Sequence, residues 1–221
     1  MKFLNKDIEL VIFDLDGTLI DSTSLWADID KEFFHSKGME IPPNYNKEIA
    51  HIGLTAAAIL TRDKYLPHLS IEEIMKQWND YALEAYQKHI SLKEHALEIL
   101  DLLKSHKVKI ALATANSEEL YLPCLNRLDV YKYFDMVIDV NSCKDGKNSP
   151  EIYDKVRHNF KVKRENSLVV EDMLQAEMTA FNNGYIVVGV NDKNSVTHPE
   201  ENKKYCHLFI NNFAELIKEL K

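Results

Sequence analysis

The chain has 221 residues, 45% apolar and 28% charged, a balance that fits a soluble globular protein with one large core or a core plus a satellite domain. A net charge of −8 without any local basic cluster argues against a nucleic-acid surface. Cys124, Cys143 and Cys206 are odd in number, far apart and without zinc-ligand spacing, so reduced thiols in the cytoplasm are expected. The apolar run Ile8 to Phe13 is too short, and too acidic at its flanks, for a signal peptide or a membrane span.

In chain order, Ile8 to Phe13 reads as a buried strand of a parallel sheet. Beyond Asp21-Ser22 the texture becomes helical. Leu25, Trp26, Ile29, Phe33 and Phe34 recur at helical spacing up to Gly38, and Pro42-Pro43 then breaks the chain. A second helix is predicted after Gly53, with Ala56 to Leu60 on it, and a third from Ser70 to about His89, where Ser70-x-x-Glu73 fits a capping box. Between residues 22 and 90 no strand is predicted, so this stretch is an all-helical insert with Trp26 and Trp78 in its core. Strand-helix alternation then resumes. Helices are predicted at Lys93 to His106, Ser117 to Leu128, Pro150 to Phe160 and Leu174 to Asn183. Strands are predicted at Val108 to Thr114, Met136 to Asp139, Ser167 to Glu171, Tyr185 to Val190 and His207 to Ile210, before a terminal helix. The fold class is α/β: a doubly wound parallel sheet of Rossmannoid type from residues 1–21 and 91–221, interrupted by the helical domain 22–90.

Ligands of such sheets lie outside the carboxyl ends of the strands, and the chemically capable residues gather there. Asp14 and Asp16 follow the first strand at i, i+2, which in extended backbone points both to one side. Two carboxylates about 4 Å apart repel by roughly 4 kcal/mol at an effective dielectric near 20, so such a site needs a cation, a shared proton, or both. Gly17 permits the sharp departure of the chain, and Thr18 adds a hydroxyl. Thr114 ends the second strand where a helix begins, a position suited to an anion, although Ser117 competes for the N-cap. Lys147 stands three residues before Pro150, with Lys144 as its rival. Glu171-Asp172 is a second acidic pair, and with Asp14 it makes an oxygen-rich set suited to Mg²⁺.

The stretch Asp14-Leu15-Asp16-Gly17-Thr18 behind its apolar strand resembles the first motif of the haloacid dehalogenase (HAD) superfamily. Thr114, Lys147 and Glu171-Asp172 resemble the next three motifs in order, so the likeness spans nearly the whole chain. The insert resembles the small helical cap of the phosphoglycolate phosphatase-like and beta-phosphoglucomutase-like subfamily. Three departures stand out: Asn148 where proline commonly follows the lysine, Met173 where a small residue follows the acidic pair, and Ala176 where glycine is frequent.

The resemblance implies an HAD-like Mg²⁺-dependent phosphatase of a small phosphorylated metabolite. Spacing leaves either aspartate as nucleophile; the family pattern selects Asp14, with Asp16 as general acid and base. Thr114 and Lys147 complete the catalytic set, and the metal is assigned to Asp14, Asp16 through its backbone carbonyl, Asp172 and Glu171. Asn116 is assigned to substrate, together with the cap residues His51, Thr55 and Arg62. The alternatives are a beta-phosphoglucomutase-like mutase and an idle binding protein. Against the mutase, Trp26 occupies the place of the hinge histidine that those mutases carry, and an indole neither accepts a proton nor titrates. A monomer is expected, without nucleic-acid or membrane partners.

Overall fold

The computed structural model describes residues 1–49, 54–193, 195 and 197–220. The chain divides into two compact units, Met1–Thr23 with Ile90–Lys221, and Ser24–His89. No helix among the described residues is long and apolar enough to cross a membrane.

The first unit opens with a hairpin that the sequence did not predict, β1 (Lys2–Phe3) against β2 (Lys6–Asp7). Its turn uses Leu4 and Asn5 in the left-handed region, without the glycine that normally announces such a turn. Then comes β3 (Leu10–Phe13), followed beyond the insert by α5 (Ala96–Ser105), β4 (Lys109–Thr114), α6 (Glu118–Arg127) and β5 (Met136–Asp139). The chain continues through α7 (Glu151–Phe160), β6 (Ser167–Glu171), α8 (Leu174–Asn182) and β7 (Ile186–Val190). It finishes with α9 (Pro199–Asn202), β8 (Leu208–Ile210) and α10 (Phe213–Glu219).

Six of these strands form one parallel sheet in the order β5-β4-β3-β6-β7-β8. Both faces are covered, which is why β3 reads as a continuous apolar run with every residue buried. Its side chains alternate. Leu10 and Ile12 join Ala111, Ala113, Val169 and Val187 under Ile152, Tyr153 and Val156 of α7. Phe13 points the other way and meets Phe213 of α10 edge-on, with centroids 6.1 Å apart. Each fully buried side chain of this kind contributes roughly 1.5–3 kcal/mol. From β3 the chain moves outward through β4 and β5, then returns to the other side of β3 with β6. The carboxyl ends of β3 and β6 therefore flank the point where strand order reverses, the usual ligand crevice of an open α/β sheet.

Two boundaries differ from expectation. The helix predicted from Lys93 starts at Ala96, because Lys93 N–H donates to the Leu19 carbonyl at 2.9 Å and its ammonium pairs with buried Asp192 at 2.7 Å. Pro150, expected at the first helical position, is instead the N-cap of α7.

The second unit contains α1 (Thr23–Ser36), α2 (Tyr45–Ile49), α3 (Leu54–Lys64) and α4 (Ile71–Lys88), and no strand among its described residues. Ser70 and Glu73 form the reciprocal capping box at the start of α4. Phe33, Phe34, Tyr45, Tyr65 and Trp78 make a core of edge-on rings 4.8–6.1 Å apart. Trp78 is buried, but Trp26, in the first turn of α1, is only half-buried and lies outside that cluster. The short α2 was not predicted; five residues after a proline pair are too few to show a period.

Candidate active site

β3 stops at Phe13, yet Asp14 N–H still donates to the Val170 carbonyl at 2.9 Å. The parallel register therefore sets Asp14 beside Glu171, one step past the last paired residues. Carboxylate oxygens of Asp14, Glu171 and Asp172, all three residues buried, lie within 4.8 Å of one another. Lys147, carried on a short turn (Gly146–Asn148), donates to Asp14 Oδ1 and to Glu171 Oε1. Of the rival Lys144, the backbone N–H donates to Glu151 Oε2 at 3.0 Å. Thr18 donates to Asp172 Oδ1 at 3.0 Å. Glu171 Oε2 accepts the N–H groups of Asp172 and Met173 at 3.2 and 3.4 Å. Met173, lacking a capping oxygen, leaves its own side chain exposed at the start of α8.

Three carboxylates share a single ammonium here. Burial pulls the Lys147 ammonium down, but Asp14 and Glu171 overcome it and hold Lys147 above its usual range, so it stays charged. Burial, reinforced by the Asp14 charge, pushes Glu171 up to about 7. Burial together with the Asp14 and Glu171 charges raises Asp172 well above the carboxylate range. With all three carboxyl groups ionised, one lysine could not balance them, and a buried oxygen-rich centre of carboxylates is the donor set that a hard divalent cation favours. The residues fit Mg²⁺.

Asp16 behaves differently. The strand has already ended at Phe13, and the chain turns around the Leu15 carbonyl. Thr18, Leu19 and Ile20 turn their N–H groups back onto the Leu15 carbonyl, and Gly17 sits at φ 77°. Asp16 Oδ1 accepts Ser22 Oγ at 2.6 Å, and its Oδ2 accepts the Asn116 amide. Asn116, expected on substrate, is thereby bonded to Asp16. Thr114 is fully buried and its Oγ1 accepts the Asn116 N–H at 3.0 Å, making a local turn that carries Asn116 towards Asp16. Ser117 is the N-cap of α6 but makes no side-chain cap bond.

The insert residues stand apart from this cluster in the chain. Thr55 is exposed on α3, Arg62 pairs with Asp63 at 2.7 Å, and His51 lies outside the described residues. Two residues bonded to the site were missed by sequence reasoning. Ser22 sits next to the first motif and could have been weighed as a partner for Asp16. Asn202, whose amide donates to the Asp172 carbonyl at 3.0 Å, gave no signal at all.

Residues 11–190 match the haloacid dehalogenase-like hydrolase family. A phosphorylated carbohydrates phosphatase from Thermotoga maritima is 28% identical over 165 residues, 75% of this chain and 76% of that protein. A pyrophosphatase PpaX from Halalkalibacterium halodurans is 25% identical over 166 residues, 75% of each chain. The crystal structure of a candidate beta-phosphoglucomutase, also from Thermotoga maritima, superposes with a TM-score of 0.83 at 25% identity. It covers 97% of this chain and all of its own. With the family match running over most of its length and the acidic cluster at the reversal point of its sheet, this chain belongs to the haloacid dehalogenase-like hydrolases.

Proposed function

We propose that the protein is a cytoplasmic, monomeric, Mg²⁺-dependent phosphatase of a small phosphorylated metabolite, working through an aspartyl-phosphate on Asp14. The observation that carries this reading is the separation of two neighbouring aspartates into two environments. Asp14 lies against an ammonium and two further carboxyl groups, while Asp16 is held by a hydroxyl and an amide. Paired carboxyl groups in contrasting settings are how one site provides a nucleophile and a proton carrier. The named relatives that act on phosphorylated carbohydrates and pyrophosphate support phosphoryl transfer to water. Three unpaired thiols agree with a reducing compartment.

In this mechanism an Asp14 oxygen attacks phosphorus as the ester P–O bond breaks, and Asp16 gives its proton to the leaving oxygen. Water then attacks phosphorus, Asp16 takes its proton, and the Asp14–phosphate bond breaks to release inorganic phosphate. Asp14, Glu171, Asp172 and the Asp16 carbonyl would hold Mg²⁺. When bound, the ion polarises phosphoryl oxygens and screens their charge from the nucleophile. Lys147 neutralises the same oxygens from the protein side. Thr114 shapes the turn that aims Asn116, and the helical unit, with His51, Thr55 and Arg62, serves as the cap that selects substrate.

The test is turnover of an aryl phosphate with Mg²⁺, expected to vanish on chelation and to fall to background in Asp14→Asn. Unchanged turnover in Asp14→Asn overturns the assignment. The likeness to a beta-phosphoglucomutase favours a second reading, a mutase. Trp26, incapable of an imidazole's role, argues for hydrolysis. Supplied with glucose 1-phosphate and a bisphosphate primer, the protein is expected to release phosphate; efficient glucose 6-phosphate formation with little phosphate would establish the mutase.

A further inference from the structure

We infer that Asn202 is a positioning residue for the metal-holding loop, an inference that rests on the phosphatase reading and its assignment of Asp172 as a ligand. The β6–β7 ladder ends where Glu171 meets Gly189, so the carbonyl of Asp172 lies one residue beyond the sheet's hydrogen bonds. A buried carbonyl in that position requires a donor from elsewhere. Asn202 supplies it from the end of α9, 30 residues along the chain, through a buried 3.0 Å bond from a residue only 3% exposed. Thr18 fixes the Asp172 carboxylate from one side and Asn202 fixes its main chain from the other. Together they hold the direction in which the second carboxylate oxygen points.

The seat of α9 is built for closeness. A Cβ on Gly189 of β7 would stand 2.5 Å from Cys206 Sγ and 2.6 Å from Glu177 Oε1. The bare glycine therefore lets the segment after α9 and the buried Glu177 of α8 press against β7, beside the acidic loop. Outer partners that orient metal ligands commonly set affinity by 10- to 100-fold.

The experiment is Mn²⁺ binding to the substrate-free protein, followed by electron paramagnetic resonance of the free ion. Asn202→Ala is expected to bind Mn²⁺ about 10-fold more weakly than the parent, and Asn202→Gln, which keeps an amide, to recover part of the loss. Should Asn202→Ala not fold, Asn202→Ser takes its place with the same expectation. Ser167→Ala removes a part-buried hydrogen bond, 2.8 Å to the Lys163 carbonyl, from the far end of the same strand. It is expected to leave Mn²⁺ affinity within about twofold, since it touches no ligand. Parent-like affinity in Asn202→Ala, or in Asn202→Ser where that takes its place, or an equal loss in Ser167→Ala, overturns the inference. If Asp172→Asn loses the ion while Asn202→Ala keeps it, only the inference falls. If the parent itself binds no Mn²⁺, or Asp172→Asn binds it like the parent, the ligand assignment and the inference fall together.

Discussion

At the amino end of the sheet, Asp154 of α7 receives Arg157 and Arg164 and a 2.7 Å hydrogen bond from Tyr185; at the carboxyl end, Asp14, Glu171 and Asp172 share the single ammonium of Lys147. Burial pushes carboxyl groups up at both ends. Around Asp154 the three donors outweigh burial and hold the carboxyl well below its usual range. Around Lys147 they do not, and Glu171 and Asp172 rise. Charge at one end is over-balanced and serves structure. At the other, ionised carboxylates would outnumber the ammonium, and an excess of negative charge of that kind is what a bound cation can balance.

After the loss of the nucleophile itself, the largest expected effect comes from altering Asp16. Asp16→Asn keeps the shape and the bond from Ser22 but cannot carry the proton, so kcat for an aryl phosphate should fall roughly 10²- to 10⁴-fold. Thermal midpoint should hardly change. A loss below tenfold would mean that another group donates the proton.

At the structural end the order of effects should invert. Asp154→Ala leaves Arg157, Arg164 and the Tyr185 hydroxyl without their shared acceptor, a change costing about 3 kcal/mol for a partly buried network. The midpoint of unfolding should drop by several degrees while the Mg²⁺ concentration for half-maximal turnover stays put. A shift in that concentration with no loss of stability would blur the division between the two ends.

The smallest effect concerns Glu177, buried in the first turn of α8 beside the acidic loop and pushed up to about 7 by burial. Its native form keeps a proton that the unfolded chain releases above about pH 4.5, so raising pH from 5 to 8 favours unfolding. Glu177→Gln removes that contribution. In chelator, the variant should be the more stable protein at pH 8, by roughly 1–2 kcal/mol after local relaxation, and no more stable at pH 5. Asp30 of the helical unit, also raised to about 7 by burial, leaves part of the pH slope in place. Parallel melting curves for parent and variant across this range would show that Glu177 is ionised in the folded state.

Much of this arrangement was legible because it is local. Met136–Asp139 and Ser167–Glu171 were read with their boundaries, since short strands with apolar centres set between helices leave a clear pattern. The capping box at Ser70 was readable for the same reason. What could not be read is long-range or lacks a period. Asn116 bonds Asp16 from 100 residues away, and Asn202 bonds Asp172 across 30. No spacing rule links such pairs; only the sheet order does. The hairpin at Leu4-Asn5 escaped because its turn omits glycine. The separate partners of Asp14 and Asp16 escaped because Ser22 and Asn116 reach Asp16 through the turn after Phe13 and through the sheet order, not through strand spacing.

The register of β3 on β6 also sets a timetable. Leu10 pairs with Ser167, so the two central strands are more than 150 residues apart in the chain. At about 5–20 residues per second, a ribosome needs roughly ten seconds or more to deliver β6 after β3 has emerged. Until then one edge of β3 leaves its backbone N–H and C=O groups without a strand partner, and the pairing that joins it to β6 carries the entropy of a very long loop. Asp14 and Glu171 meet only when that pairing forms. Metal affinity in a refolding experiment should therefore arrive no earlier than that pairing, and a chain cut before β6 should show none of it.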